Sequence, residues 1–329
     1  MNSLLSKEKQ IVVFDIGSKN IKIVKGTYND GIINVDNYDI ISTSTPFIEN
    51  GRVMDKAGLT KELSKLRLKV KSKDIRLLLS SKDIILRTFI LPVMEREEIR
   101  EAVKFEMSVF LPEEIEHYII DGTAVREFKD ENEDNTMIEV QGVAIEKNIV
   151  TDYLDCFSKA GFKISVVDIQ PNAILKLVCH ESHYLRKKDG SSLEKQNISV
   201  IDIGNEKISL TFIENNSIFI HRTLNKGARD LDSKQQLQDG KNEIFFDIVT
   251  EINQLIEYFI SMSKNKQLNY IAVLGGGSLV LDIAEHIEEI INIQTESIHS
   301  LHNVHFKDLK SPDHINLLAN VIGAFIRRR

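Results

Sequence analysis

The sequence predicts an α/β protein of two similar lobes facing each other across a cleft. Three observations predict it. A segment that begins at Asp15 recurs at Asp202, a buried strand runs into three consecutive glycines and a helix, and a block of strands and helices with its own apolar spacing interrupts the first lobe. A chain of 329 residues has room for about two domains. Its 42% hydrophobic and 28% charged residues belong to an ordinary folded protein and exclude a disordered or fibrous one. The formal net charge of −7 offers no positive field to DNA or RNA, so nucleic acid is set aside as a partner. Cys156 and Cys179 lie in no CxxC or zinc spacing and read as two buried thiols in a reducing compartment. The opening MNSLLSKEKQ has no apolar stretch of the signal-peptide kind, and no apolar run approaches the ~18–20 residues of a membrane span. The expected location is cytoplasmic, with the membrane met only indirectly through a partner.

The first copy of the repeat opens with the apolar run Ile11–Phe14. It continues through Asp15-Ile16-Gly17-Ser18-Lys19-Asn20-Ile21-Lys22-Ile23-Val24 to the turn Tyr28-Asn29-Asp30-Gly31. Apolar run, Asp-Gly bend, alternating stretch, turn and a further strand make a three-stranded meander. The later run Lys65, Arg67, Lys69, Lys71 and Lys73 reads as a solvated helix end and loop rather than a lipid-facing strand.

Residues 82–162 read as an inserted βαββα block. Ile84–Leu91 is a strand that Pro92 ends. Glu95–Ser108 is a helix with acids in its first turn and with Ile99, Val103 and the following Phe110 spaced for one face. Tyr118–Val125 and Met137–Ala144 pair around the acidic loop Lys129–Asn135. Asn148–Ala160 is a second helix capped by Gly161, and the strand Ile164–Asp168 rejoins the main sheet. Phe105 lies off the packing stripe, so with Phe110 and Leu111 it is a candidate docking point for a partner peptide; filling the subdomain core is its ordinary alternative. Asp168, before Gln170-Pro171, is the position from which a carboxylate could reach the cleft as a general base. Its ordinary role is turn chemistry, with Pro171 at the first helical position. His180 and His183 share a helix face without an HExxH pattern.

The second copy, Asp202-Ile203-Gly204-Asn205-Glu206-Lys207-Ile208-Ser209-Leu210-Thr211, follows the run Ile198–Ile201 and precedes the turn Glu214-Asn215-Asn216-Ser217. At each bend a carboxylate stands beside a glycine, Gly17 or Gly204, whose backbone can approach a ligand closely. Ser18, Lys19, Asn20 and Asn205 lie in the bends, and the Ser, Lys and Asn side chains and N–H groups can donate to phosphate. Two such bends facing each other could clamp a polyphosphate, with Lys19 and Lys22 as counter-charge and Asp15 and Asp202 holding magnesium through water.

Beyond the second bend, residues 227–270 read as a short helix, the turn Asp239-Gly240 and an amphipathic helix Glu243–Met262 with Ile244, Ile248, Ile252, Leu255 and Phe259 inward. Tyr270–Leu274 is a buried strand. Gly275, Gly276, Gly277 and Ser278 then lead into a helix Leu279–Ile290, a junction where backbone can lie against a flat ring or a phosphate; close helix–strand packing is the ordinary alternative. His299, His302 and His305 have no carboxylate or cysteine beside them and read as an irregular connection rather than a metal site.

Two Asp-Ile-Gly bends followed by strand, Gly-Gly-Gly and helix, in that order, resemble the phosphate 1, phosphate 2 and adenosine motifs of the actin, sugar-kinase and DnaK-type chaperone superfamily. The resemblance implies an actin-like (ribonuclease H-like) two-lobed fold with duplicated five-stranded sheets. Within it the chain most resembles the PilM family of type IV pilus assembly. The marks are Asp15–Lys22, the stretch Arg87–Pro92 with Glu97–Met107 and Phe110–Pro112, and the closing Ile315–Arg327, and they cover most of the chain. The implied domains are 9–81 with 163–180 for the first main sheet, 82–162 for the inserted subdomain, 181–315 for the second lobe, and 316–329 for a helix returning to the first lobe.

The same resemblance implies ATP and magnesium at the bends and glycines. It further implies a cytoplasmic platform of the inner-membrane pilus assembly complex, holding the N-terminal tail of a PilN-type membrane protein. The family's Ala-Glu-x-x-Lys helix, which reaches the nucleoside, has no counterpart in residues 227–270, which implies a reduced nucleoside side and weakened ATP binding; hydrolysis is expected to be weak or absent. Two other functions stay open: an ATPase or small-molecule kinase of the same superfamily, which would need Asp168, and an FtsA-like filament former, whose linker and membrane helix do not follow Arg329.

Overall fold

In each copy of the repeat, the apolar runs on either side of the Asp-Gly bend pair as antiparallel strands, because the glycine lets the chain reverse within a few residues. The computed structural model describes residues 9–327 apart from 44, 130–134, 183–187, 189, 195, 232–242, 264–265, 280–282 and 308–314. Most of the loop after Lys129, His183, the Asp239-Gly240 turn, the side chain of Ile244 and the start of the helix after Leu279 lie outside them.

The first lobe opens with the meander β1 (Ile11–Ile16), β2 (Asn20–Asn29) and β3 (Ile32–Ser42). A small hairpin follows, β4 (Ile48–Glu49) and β5 (Arg52–Val53). Helix α1 (Lys56–Arg67) is capped by Asp55, whose carboxylate accepts from the Gly58 N–H, and it buries Leu59, Leu63 and Leu66. Strand β6 (Asp74–Leu79) then runs parallel to β1.

The insertion supplies β7 (Ile85–Pro92), α2 (Arg96–Ser108), β8 (Tyr118–Lys129), β9 (Thr136–Glu146) and α3 (Lys147–Lys159), with Glu95 and Glu98 forming a capping box on α2. The chain returns to the main sheet as β10 (Val166–Ile169) and leaves along α4 (Gln170–Glu181).

The second lobe repeats the plan with β11 (Ile198–Ile203), β12 (Ile208–Glu214) and β13 (Ser217–Leu224), the short α5 (Ala228–Leu231), α6 (Glu243–Met262), β14 (Tyr270–Leu274), α7 (Ile283–Ile291) and β15 (Thr295–Ser297). Strand β16 (Val304–Phe306) and helix α8 (Ala319–Gly323) close the chain.

The two main sheets have one topology. The first reads β10-β6-β1-β2-β3 and the second β15-β14-β11-β12-β13, with matching directions at every pairing. Asp15 pairs with Lys22 across its hairpin and Asp202 with Ser209 across the other, so the two copies share a register. The first sheet gains a sixth strand at its edge, β16 parallel to β3. This corrects the reading of the histidine segment as wholly irregular: His305 lies inside a three-residue strand, too short for any alternation to show in the sequence.

One apolar core joins the lobes. Val13 and Val24 of the first sheet, Ala173 and Ile174 of α4, Val200 and Ala272 of the second sheet and Val321 and Ile322 of α8 are buried in it together. The insertion divides between two cores. β7, α2, β8 and β9 enclose Leu91, Ile99, Val103, Met107, Ile138 and Val140. Helix α3 instead sends Ile149, Val150, Tyr153, Cys156 and Phe157 into the first lobe against Phe14, Leu59 and Leu63. A helix's apolar stripe tells that one face is buried, not against what. No helix among the described residues is long and apolar enough to cross a membrane.

Candidate functional site

The two bends have the same internal geometry. The Gly17 N–H donates to the Asn20 carbonyl at 2.9 Å, and the Gly204 N–H donates to the Lys207 carbonyl at 2.9 Å. They also face each other: the Asn205 amide donates to Ser18 Oγ at 3.3 Å across the gap. Three further bonds cross it or line it. Gln170, at the start of α4, donates to Asp202; Asn320, on α8, donates to Asp202 Oδ2 at 2.5 Å; and the Asn50 N–H of the β4–β5 hairpin donates to Glu206 Oε2 at 3.2 Å.

Between the bends lies a cavity of about 770 Å³, within the range that holds small molecules. Asp15, Gly17, Ser18, Lys19, Asn20 and Lys22 line it from the first copy, Asp202, Gly204 and Asn205 from the second, and Gly275 and Gly276 from the end of β14. Ala228, Leu231, Leu279 and Leu317 give one end of it an apolar wall.

The remaining sequence candidates stand elsewhere. An added Cβ on Gly277 would lie 2.0 Å from Ile203 Cγ2, so this glycine serves close packing against β11. The Ser278 hydroxyl donates to the Gly275 carbonyl at 2.6 Å and accepts from Asn316, which makes it a brace of the turn. Asp168 is not in the cavity wall. Its carboxylate takes the Lys176 ammonium at 2.5 Å, the Asn172 amide at 2.7 Å and the Ile169 N–H at 2.9 Å, which is the turn chemistry expected of it as its ordinary role. Gln170, two residues on, reaches the cleft instead, accepting from Ser80 while donating to Asp202. Nothing in the sequence pattern distinguished Gln170 or Asn320. Lys207 and Glu206 were within reach, since both lie in the repeat itself.

Charge in the cleft is finely balanced. The Lys22 ammonium pairs with Asp15 Oδ2 at 3.0 Å. Burial pulls the pKa of Lys22 down, but the Asp15 and Asp202 carboxylates together lift it above its ordinary value. Burial pushes the Asp202 carboxyl up, opposed by Lys22 and the Asn320 hydrogen bond. Lys207 is brought down to about 8 by burial, against the pull of Asp202, Asp15, Asp83 and Glu206.

Gly275 has φ +84°, and an added Cβ would lie 2.2 Å from Asp202 Oδ1, so only glycine lets this turn close on the carboxylate. Asn320 Oδ1, beside Asp202, is buried with no hydrogen-bond partner among the described residues. That orphaned oxygen and the carboxylates of Asp15 and Asp202 are the hard oxygen donors a hydrated magnesium ion takes, so the residues present fit that ion.

A second surface lies on the insertion. Phe105 is 74% exposed and Val109 79%, with Phe110 at 44% beneath the Arg87 guanidinium, 4.9 Å from its ring centre. Leu111 is partly buried against the core under α2, so Phe105 and Phe110 carry the open face and Leu111 supports it. Among the described residues no group of three or more His, Cys, Asp or Glu is arranged to hold a metal directly. Cys156 is buried and Cys179 partly so, and no disulfide joins them.

A family model described as type IV pilus assembly protein PilM matches residues 13–241. Among solved structures, a PilM-PilN type IV pilus biogenesis complex is similar at 19% identity with a TM-score of 0.78, over 97% of this chain and 97% of that one. The ethanolamine utilization protein EutJ from Carboxydothermus hydrogenoformans is similar at 13% identity and TM-score 0.52, covering 96% and 89%. A Bacteroides thetaiotaomicron protein described as having an actin-like ATPase fold and unknown function is similar at 11% identity and TM-score 0.50, covering 98% of each. At these identities the structures speak for the fold, which is actin-like.

Proposed function

The chain belongs to the PilM family of type IV pilus assembly proteins, and on that premise we propose that it is a cytoplasmic platform of the pilus machinery. It binds the N-terminal tail of a PilN-type membrane protein and reaches the membrane through that partner. The observation that carries this reading is the C-terminal end of α2, where Phe105 and, just past the helix, Val109 are exposed while Ile99, Val103 and Met107 of the same helix fill the subdomain core. A helix that spends one face on its own fold and, with the residue after it, leaves two large apolar side chains in water offers an anchor to an incoming peptide.

The cleft takes ATP with magnesium as an organising ligand. Asp15 and Asp202 would hold the ion through water, with Asn320 Oδ1 accepting from its hydration shell. The N–H groups and side chains of the Gly17 and Gly204 bends face the phosphates, and the apolar wall of Ala228, Leu231 and Leu279 receives the nucleoside. When bound, magnesium supplies positive charge that offsets the phosphates. Hydrolysis needs a group to take a proton from water. The side chain that α4 presents to the cleft is the amide of Gln170, which cannot serve, and Asp168 is held by Lys176. Asp168 therefore supplies no general base to the cleft, and we read nucleotide as held there rather than turned over.

Titration of the full chain with a synthetic N-terminal tail of a PilN-type protein tests the partner assignment. Saturable binding is expected, weakened roughly 30-fold by Phe105→Ala if Phe105 is an anchor. No binding to wild type, or equal binding to both, overturns the assignment.

A further inference from the structure

Lys207 differs from the other charged groups of the cleft. Lys22 is tied to Asp15, and Glu206 is held by the Asn50 N–H and by Arg229 at 3.4 Å. Asp202 accepts amide hydrogens from Gln170 and Asn320. Lys19 stands exposed at the rim, where a lysine contributes little to binding. Among the described residues the Lys207 ammonium has neither an ion pair nor a hydrogen bond, although it lies in the cavity wall. A half-buried ammonium on a cavity wall with no hydrogen-bonded anion is available to one that a ligand brings.

Its place in the wall says which part of the ligand that is. The carboxylates that act on Lys207 most strongly are Asp202, Asp15, Asp83 and Glu206, the acidic groups of the two bends and of the strand junction beside the β4–β5 hairpin. Gly204 joins the two parts of the wall: its N–H donates to the Lys207 carbonyl at 2.9 Å, and its carbonyl accepts from the Ala228 N–H of the apolar wall at 2.8 Å. Lys207 thus stands in the cavity wall among the acidic groups of the bends, where phosphate would lie. In the repeat it occupies the place that Asn20 has in the first bend, five residues after the aspartate in each copy, so the charge is a feature of one copy and not of the duplicated plan.

We propose that Lys207 is the residue by which this cleft distinguishes a nucleoside triphosphate from a diphosphate, its ammonium donating to the terminal phosphoryl group. This rests on the nucleotide reading above and adds the residue that sets phosphate-chain length. Lys22, committed to Asp15, acts at the inner phosphates, and Lys207 waits for the last one. A charge-assisted hydrogen bond of this kind changes affinity by about tenfold to a hundredfold.

The test is calorimetric titration of the full chain with ATP and with ADP, each with magnesium, on wild type, Lys207→Met and Lys207→Arg, with a melting curve for each protein. Methionine keeps the length and apolar stem, and the melting curves show whether each variant is folded as wild type is. The expected result is a triphosphate preference in wild type, retained by the arginine variant. In the methionine variant it falls about tenfold or more through weaker ATP binding, while ADP binding is little changed. Lys207→Met that keeps the wild-type ratio, or loses ATP and ADP alike, overturns the role of Lys207 and leaves the nucleotide reading standing. Wild type that binds neither nucleotide overturns both.

Discussion

Arg76 holds the end of the chain to the first sheet. Buried within β6, its guanidinium donates to the carbonyls of Ala324 and Phe325 at 2.7 and 2.8 Å and to both oxygens of Asp74. Burial alone would push the Asp74 carboxyl up, but hydrogen bonds from Arg76 and Ser165, with the charges of Arg76 and Lys9, hold it at about 2. A carboxyl whose folded pKa lies below its unfolded value of 3.8 stabilises the fold above that value, and this stabilisation is lost as pH falls toward 2. Acid denaturation monitored by circular dichroism should show part of its loss in that window. Arg76→Met removes the buried partner of Asp74 and both donors to the Ala324 and Phe325 carbonyls, leaving Ser165, Lys9 and Arg327 on the carboxylate, so urea titration at pH 7 should show a loss of about 1–3 kcal/mol. Gly275→Ala forces a β-carbon onto Asp202 at a left-handed φ and should cost about 1–3 kcal/mol in the same assay while weakening ATP binding. Gly275 was legible in the sequence because a strand running into glycines marks a close approach. Gln170 was not, since a lone amide at a strand–helix junction has no pattern to betray it.

At the scale of elements, α2 shows how one helix divides its labour. Met107 is wholly buried in the core of the insertion, whereas Phe105, two residues before it, points to solvent. Met107→Ala should therefore cost about 2–5 kcal/mol, and Phe105→Ala should stay within about 0.5 kcal/mol, both read by thermal denaturation. If the two substitutions cost the same, α2 is seated otherwise. The periodicity that placed Phe105 off the packing stripe also placed Ile248, Ile252 and Phe259 of α6 inward, and all three are buried. Periodicity was silent on the partner of each face, which is why α3 was grouped with the insertion although it packs on α1 and β1. It was silent too on β16, whose three residues gain their strand geometry from the edge of β3 and not from their own pattern.

The whole molecule is two copies of one sheet joined by a core to which both contribute, with α4 and α8 between them. The duplication was the most legible feature of the sequence because the strands around each bend and the bend itself repeat together. Beyond the Asn205–Ser18 bond between the repeats, the bonds that close the cleft were not legible, since Asn50, Gln170 and Asn320 come from outside the repeat. The insertion also leans on the opposite lobe: Thr88 Oγ1 and Gln141 Nε2 both donate to the Ile218 carbonyl on β13 at 3.3 Å. A ligand bound between the lobes should stabilise the entire chain, by about 2.7 kcal/mol at a free concentration one hundred times its dissociation constant. Thermal denaturation with ATP and magnesium should then show one transition moved upward.

Calorimetric titration of wild type and Asp15→Ala with ATP and magnesium asks most directly whether the two bends form a single phosphate site. Saturable heat from wild type that disappears in the variant is the predicted result. Flat heats from wild type, or the same isotherm from both proteins, would contradict it.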